Sequence, residues 1–197
     1  MTQEEIAFFD KIAPKWDSME KLSVASRINP ILDMAEVCKG DNVLDLGTGT
    51  GVLIPYLSQR VGSRGHILGI DISTGMLDRA IRKWAAIDNV EFLNLDFEKI
   101  QPEGTYDRIF LYCVYPHLHH PEATISNLCA RNLKQNGKIV IAFPVGPGFI
   151  NNIHHDRKIE SDLLPSAREL ASSLCEQGFN AKCLSDTDRA YVVTVEH

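Results

Sequence analysis

The segment Val43-Leu44-Asp45-Leu46-Gly47-Thr48-Gly49-Thr50-Gly51 sets a carboxylate two residues ahead of three alternating glycines. An apolar run entering such a turn reads as a buried strand whose carboxyl end opens onto bare backbone, where a small molecule can approach closely. The spacing narrows the ligand. A dinucleotide fingerprint needs G-x-G-x-x-G; counted from Gly47 its last position falls on Val52, and the third glycine arrives one residue early. A carboxylate inside the turn also repels a pyrophosphate in a partly desolvated site. It suits a ligand with a cationic end.

Side chains able to move protons gather further along. Tyr112, Tyr115, His117, His119 and His120 follow one apolar run, and His154 and His155 lie in FPVGPGFINNIHHDRKIESDLLP (143–165). Imidazole titrates near neutral pH, so these histidines are candidate bases. His119 and His120 read as loop surface or a helix cap. The five histidines also raise metal or metallo-tetrapyrrole binding, since neutral imidazoles suit borderline transition metals. No H-E-x-x-H or fixed two-ligand spacing supports it, and the expected metal set is none. A stretch of roughly 20 residues between two elements of a compact domain is usually functional. Phe149, Asn151, Asn152 and His154 lie within it.

The elements that must position these groups alternate. DNVLDLGTGTG (41–51), HILGIDIS (66–73), VEFLNLD (90–96), YDRIFLYCV (106–114) and GKIVIAF (137–143) are apolar strand-like runs. Between them lie amphipathic helices: one with Pro55 in its first turn, one capped by Ser73 with Leu77, Ala80, Ile81, Trp84 and Ala85 on a face, and one opened by Pro121 with Ile125, Leu128, Cys129 and Leu133 on a face. Apolar strands separated by such helices imply a parallel sheet covered on both sides. After a helix from about Pro165 to Gln177, two polar-alternating strands near 180–185 and 190–196 predict an antiparallel pair at the sheet edge.

The 197 residues carry 20 Lys+Arg against 26 Asp+Glu, a net charge of −6, with 44% apolar residues. That is enough chain for one core, and two full domains are not expected. An acidic balance without a basic run disfavours nucleic acid as partner. No positive segment opens the chain and no run of about 18 apolar residues occurs, so a cytoplasmic protein without a membrane partner is expected. Five scattered cysteines without CxxC read as reduced thiols.

In its glycine segment the chain resembles class I S-adenosylmethionine (SAM) dependent methyltransferases. The resemblance extends to Asp71 in GIDIS, 20 residues after Gly51, to Asp96 with Phe97 in NLDFEKI, and to YDRIFLYCVYPHLHHPEATI, which is similar to the family's fourth strand and following loop. There Tyr106-Asp107 stands for the opening pair, His117 for the second histidine and Pro121-Glu122 for the proline-acid pair. Pro116 and His120 depart from the pattern. FFDKIAPKWD (8–17) is similar to the F-D-x-x-A-x-x-Y-D segment that forms a helical lid in ubiquinone/menaquinone-type methyltransferases.

The resemblance implies an α/β fold: a Rossmann-like seven-stranded sheet in the order 3-2-1-4-5-7-6, strand seven antiparallel, with helices on both faces. It implies a single domain over 1–197, with a helical N-terminal lid over 1–40 and the core over 41–197. By carry-over Asp45, Gly47, Thr48, Gly49 and Gly51 hold the amino-acid part of SAM, Asp71 the ribose, Ile72 and Met76 the adenine, and Asp96 and Phe97 the adenine edge, with Tyr112 alongside. A carboxylate's two acceptor oxygens suit the vicinal diol of a ribose. Trp16, Tyr115, His117, Phe149 and His154 are the expected acceptor contacts, with His117 and Tyr112 as catalytic candidates.

The implied reaction is in-line methyl transfer from SAM to a small-molecule acceptor, leaving S-adenosylhomocysteine (SAH), by a monomer or homodimer. Strand four continues Leu111-Tyr112-Cys113-Val114, not the Asn/Asp-Pro-Pro-aromatic motif that grips a flipped base. Two alternatives remain open at this stage. One is a non-catalytic SAM-binding or metal/tetrapyrrole-binding module; the other is a nicotinamide-dependent oxidoreductase, disfavoured by the glycine spacing and the lack of a Tyr-x-x-x-Lys pair.

Overall fold

A computed structural model describes residues 1–19, 25–156 and 163–196. Two helices, α1 (Gln3–Met19) and α2 (Ala25–Met34), precede the strands β1 (Asn42–Leu46), β2 (His66–Asp71), β3 (Val90–Asn94), β4 (Tyr106–Tyr112), β5 (Leu133–Phe143), β6 (Asn180–Thr187) and β7 (Ala190–Glu196). Helices α3 (Ile54–Val61), α4 (Thr74–Lys83), α5 (Pro121–Arg131), α6 (Pro147–Asp156) and α7 (Ala167–Glu176) connect them. The sheet runs β3-β2-β1-β4-β5-β7-β6. The first four pairings are parallel; β7 lies antiparallel to both β5 and β6. The expected topology is the observed one.

Chain reversal at β1 fixes where a ligand can sit. From β1 the chain moves outward to β2 and β3, then returns to lay β4 on the other side of β1, which leaves a crevice beyond the carboxyl ends of β1 and β4. Two apolar layers clamp the sheet there. Leu46, Ile109, Leu111 and Ile141 face a layer completed by Ile125 and Leu128 of α5 and Leu170 and Leu174 of α7. Val43, Phe110, Val140 and Val192 face Ile28, Ile31 and Leu32 of α2 and Leu57 of α3. The buried Arg108 guanidinium donates to the carbonyls of Ala35 and Glu36, fastening the end of α2 to the sheet.

Local signals explain the helix starts. The Ser73 hydroxyl accepts from Met76 N at the head of α4, and Ser166 with Glu169 forms a capping box on α7. Three expectations need correction. Residues 143–165 are not one structureless loop, because α6 begins at Pro147, whose fixed φ suits a first helical turn. The final antiparallel pair lies at the sheet edge as expected, but β7 is not polar-alternating: it is buried between β5 and β6, with Tyr191, Val192 and Val193 fully enclosed. At the opposite edge β3 is half-exposed, and Leu93 is uncovered, so this apolar strand is not buried on both faces. Within the helices, Ile81 is exposed, and Leu133 belongs to β5.

Candidate active site

The crevice is built from the turns after β1, β2, β3 and β4. Gly47, Gly49 and Gly51 all have positive φ (70°, 59° and 76°), a conformation that costs an L side chain free energy, so the turn selects glycine. A Cβ on Gly47 would lie 2.3 Å from a Val114 methyl, whereas one on Gly49 would meet nothing within 4 Å. Gly47 is thus needed for packing, and Gly49 leaves open space at the crevice. The turn is fixed to β2 by the Thr48 amide, which donates to the Ile70 carbonyl at 2.9 Å.

Asp45 is buried, and its Oδ2 accepts the Thr48 hydroxyl at 2.7 Å. Burial drives its pKa up to about 7 against the lowering effect of that hydrogen bond, and nearby Asp71 adds to the rise. Asp71 is also buried and pushed up by desolvation, although Oδ1 accepts from Ser73 N at 2.8 Å and Oδ2 from Gly49 N at 2.7 Å. Two enclosed carboxylates with unspent lone pairs make a site that a cation and hydroxyl donors relieve.

Beside them is a cavity of about 390 Å³, lined on the sheet side by Ile72, Asn94, Leu95 and Asp96 and on the lid side by Gln3 and Ile6 of α1. Ile72 and Asp96 thus share one concave space. Asp96 is paired with Lys99 at 2.7 Å. Met76 is buried in the first turn of α4, and Phe97 packs on the core beneath the loop; neither lines this cavity.

The chain after β4 carries Tyr112, buried at the strand end, and a 3₁₀ turn over Tyr115–His117. Phe9 of α1 bridges to this turn, its ring 5.8 Å from Trp16 and 5.9 Å from His117, both edge to face. Glu5 senses His117 electrostatically: burial raises its pKa, but hydrogen bonds from Thr2 and the charges of His117 and the N-terminus hold it below the ordinary value. Tyr115 lies on the other side, against the α5–α7 layer; desolvation and Glu122 raise its pKa to about 12. It shares that apolar layer with Tyr191 and lies within electrostatic reach of it.

Phe149 is half-exposed on α6, and the Asn151 amide is spent on the backbone of Leu164, donating at 2.9 Å and accepting at 2.8 Å. The side chains of His154 and His155 lie outside the described residues. His119 and His120 are exposed; their amides donate to Glu98 Oε1, and His120 contributes no side-chain cap to α5. Among the described residues no three His, Cys, Asp or Glu side chains converge as a metal site, and no helix is long and apolar enough to cross a membrane.

Several contacts at the crevice escape sequence reasoning, although Asp10 and Asp17 lie in the lid-like FFDKIAPKWD segment and Ser73 is the expected cap of α4. Asp10 and Asp17 of α1, Ser73, Thr50 and Lys83 form contacts across 33 or more positions of chain. The seven-residue spacing of the two aspartates, two helical turns, was the available signal.

A glycine turn after the first strand of this doubly wound sheet, a buried carboxylate just ahead of it and a second at the end of the next strand form the arrangement that the class I methyltransferase resemblance implies. Residues 38–192 match the methyltransferase domain family, and the chain belongs to it. It is 32% identical over 145 residues to the ubiquinone/menaquinone biosynthesis C-methyltransferase UbiE of Methylococcus capsulatus, covering 68% of this chain and 57% of that protein. The UbiE of Francisella tularensis subsp. novicida is 30% identical over 149 residues, 71% of this chain and 59% of that one. The chain thus spans less than two thirds of the length of these curated relatives. A SAM-dependent methyltransferase from Aquifex aeolicus superposes with a TM-score of 0.71 at 25% identity, over 91% of this chain and 96% of that one. The DhpI-SAH complex shares the fold, with a TM-score of 0.76 at 19% identity over 97% and 94% of the two chains. The protein is a class I SAM-dependent methyltransferase, and SAM is its cofactor. The oxidoreductase and non-catalytic alternatives fall with that result.

The residues of the crevice fit SAM. Open space at Gly49, two buried carboxylates whose pKa values burial raises, and a neighbouring cavity with mixed apolar and polar walls are compatible with a cationic amino acid, a diol and a base in turn.

Proposed function

We propose that the chain methylates a small-molecule acceptor by in-line displacement. The observation that carries this reading is the separation of the crevice into two halves, an acidic half over β1 and β2 and an aromatic half made by α1 and the turn after β4. SAM, when bound, supplies an electrophilic methyl on a sulfonium. Asp45 and the glycine turn hold its amino-acid end, Asp71 its ribose hydroxyls, and Ile72 and Asp96 its base; Thr48 steers Asp45. Tyr112 closes the strand end next to the reacting centre.

Phe9, Trp16 and His117 supply the acceptor wall, with Phe149 at its outer rim. Displacement at an activated methyl asks mainly for alignment and exclusion of water, which a helix laid over the crevice provides. His117 accepts a proton where the acceptor must lose one. Tyr115, whose phenol stays protonated across the neutral range, serves as packing for that turn. We read 1–40 as the lid and 41–197 as the core of one domain.

The relatives are C-methyltransferases of ubiquinone and menaquinone biosynthesis, which favours a carbon acceptor, and the edge-to-face aromatic wall is compatible with a flat partner. The test is SAH release from the purified protein over a panel of ring-carbon, phenol, amine and thiol acceptors. Turnover with a small molecule supports the reading; turnover only on protein or nucleic acid overturns it.

A further inference from the structure

Helix α1 is fastened to the cofactor-binding turns at two points. Near its middle, Asp10 Oδ1 accepts the Ser73 hydroxyl at 2.6 Å and the Gly75 amide at 2.8 Å, which places a carboxylate on the positive end of α4. Two turns later, Asp17 Oδ1 accepts the Thr50 hydroxyl at 2.6 Å while Oδ2 pairs with Lys83 Nζ at 3.1 Å. Burial raises the Asp17 pKa, but Thr50 and Lys83 outweigh it and hold the carboxyl below its ordinary value. Thr50 sits between Gly49 and Gly51, and Ser73 is two residues beyond Asp71. Each fastening therefore lands on a turn that also carries a cofactor residue.

The same helix forms one wall of the cavity through Gln3 and Ile6, so both fastenings hold that wall of the nucleoside space in place. Gly75 makes the closed position possible: a Cβ there would stand 3.0 Å from Asp10 Cα and 3.1 Å from the Asp10 carbonyl oxygen. The clasp is strong enough to hold and weak enough to open. Asp17 and Lys83 are about one third exposed, where ion pairs are worth little, while the hydroxyl and amide hydrogen bonds to charged carboxylates contribute more.

We infer that Asp10 and Asp17 are positioning residues that latch α1 over the cofactor crevice and set how fast SAH leaves. The inference rests on the proposed cofactor site. Neither carboxylate touches the reacting atoms; each acts through the turn it binds.

The experiment measures SAH association and dissociation rates by stopped flow, with SAH as the probe and no acceptor needed, beside thermal melts of the unliganded protein. In Asp10→Asn and Asp17→Asn, dissociation speeds up by about tenfold, as expected when the contacts of each carboxylate lose their charge assistance, while unliganded melting moves little. A Lys83→Met variant probes the second fastening from the other side should Asp17→Asn fail to fold, and it should show the same direction. Hydrogen exchange adds a readout that a merely structural role does not move: SAH protects residues 3–19 in the wild type and not in the variants. Unchanged dissociation rates in folded variants overturn the latch alone. Absence of SAH binding to the wild type, or binding indifferent to Asp71→Asn, overturns the cofactor assignment and the latch with it.

Discussion

The Thr48 hydroxyl donates to Asp45 Oδ2 at 2.7 Å inside the glycine turn, yet burial still keeps the Asp45 pKa near 7. One hydrogen bond does not replace the water that this carboxylate has lost. Between the ordinary value of 3.8 and about 7, the folded protein therefore holds a proton there that the unfolded chain has released. Stability from this group is fully present below the unfolded value and is lost as pH rises through the folded one. Asp45→Asn should resemble the wild type at the acid end and gain on it as pH climbs to about 7, measured by thermal melts of both proteins across that interval. Binding runs the other way. A cationic amino-acid end prefers the ionised carboxylate, so SAM affinity should climb by about tenfold per pH unit on approach to neutrality. Calorimetry at several pH values checks this, and a flat profile in the wild type would remove Asp45 from the cationic end.

Two glycines of the turn should fail differently. At Gly47 the positive φ and the 2.3 Å approach to Val114 combine, so Gly47→Ala should destabilise the protein by about 2–3 kcal/mol and abolish SAM binding. At Gly49 the positive φ remains but the space is open, so Gly49→Ala should cost only about 1 kcal/mol. Its methyl group nonetheless occupies the space left for the ligand. Chemical denaturation with SAH titration separates the two cases, and a Gly49→Ala protein that binds SAH normally would show that the ligand does not approach this backbone.

His117 stands edge to face with Phe9 and within electrostatic reach of Glu5, on the turn that follows β4. With an acceptor that must lose a proton, His117→Ala should lower kcat by about 10²-fold and leave the SAH dissociation constant unchanged. An equal loss in SAH affinity would make His117 part of the cofactor site.

Much of the architecture was legible because it depends on local period and punctuation. Ser73 before an amphipathic run, Pro121 at a helix start and glycines at strand ends each act within a few residues. Burial of whole strands was less legible. AYVVTVE and VEFLN look equally strand-like, but β7 lies between β5 and β6 and is enclosed, while β3 has a neighbour on one side only. Sheet order, which is not a local property, decides that difference. Asp45, Asp71 and Asp96, the acids proposed to hold the cofactor, stood out in the sequence because they lie at or just past the ends of apolar runs. Tyr115 shares the 3₁₀ turn with His117 and packs against the core layer that holds Tyr191, a placement that turn geometry and sheet order decide together. Asp10 and Asp17 gave no local sign of their partners, which lie 63 to 65 and 33 to 66 residues away.

Gly75 offers the most direct separation of lid closure from folding. It occupies the second position of α4 with no positive φ, so alanine suits the helix better there by up to about 1 kcal/mol. The obstacle is external: the new methyl group would meet the Asp10 backbone at 3.0–3.1 Å, and backbone atoms do not rotate aside as a flexible side chain can. Relief comes from moving α1 away from α4, which lengthens the contacts from Asp10 to Ser73 and to the Gly75 amide together. Gly75→Ala should therefore keep or slightly raise core stability in denaturant while weakening SAH binding, mainly through faster dissociation. A variant that melts lower and binds SAH with unchanged kinetics would mean that α1 stays in place and the strain is absorbed inside α4.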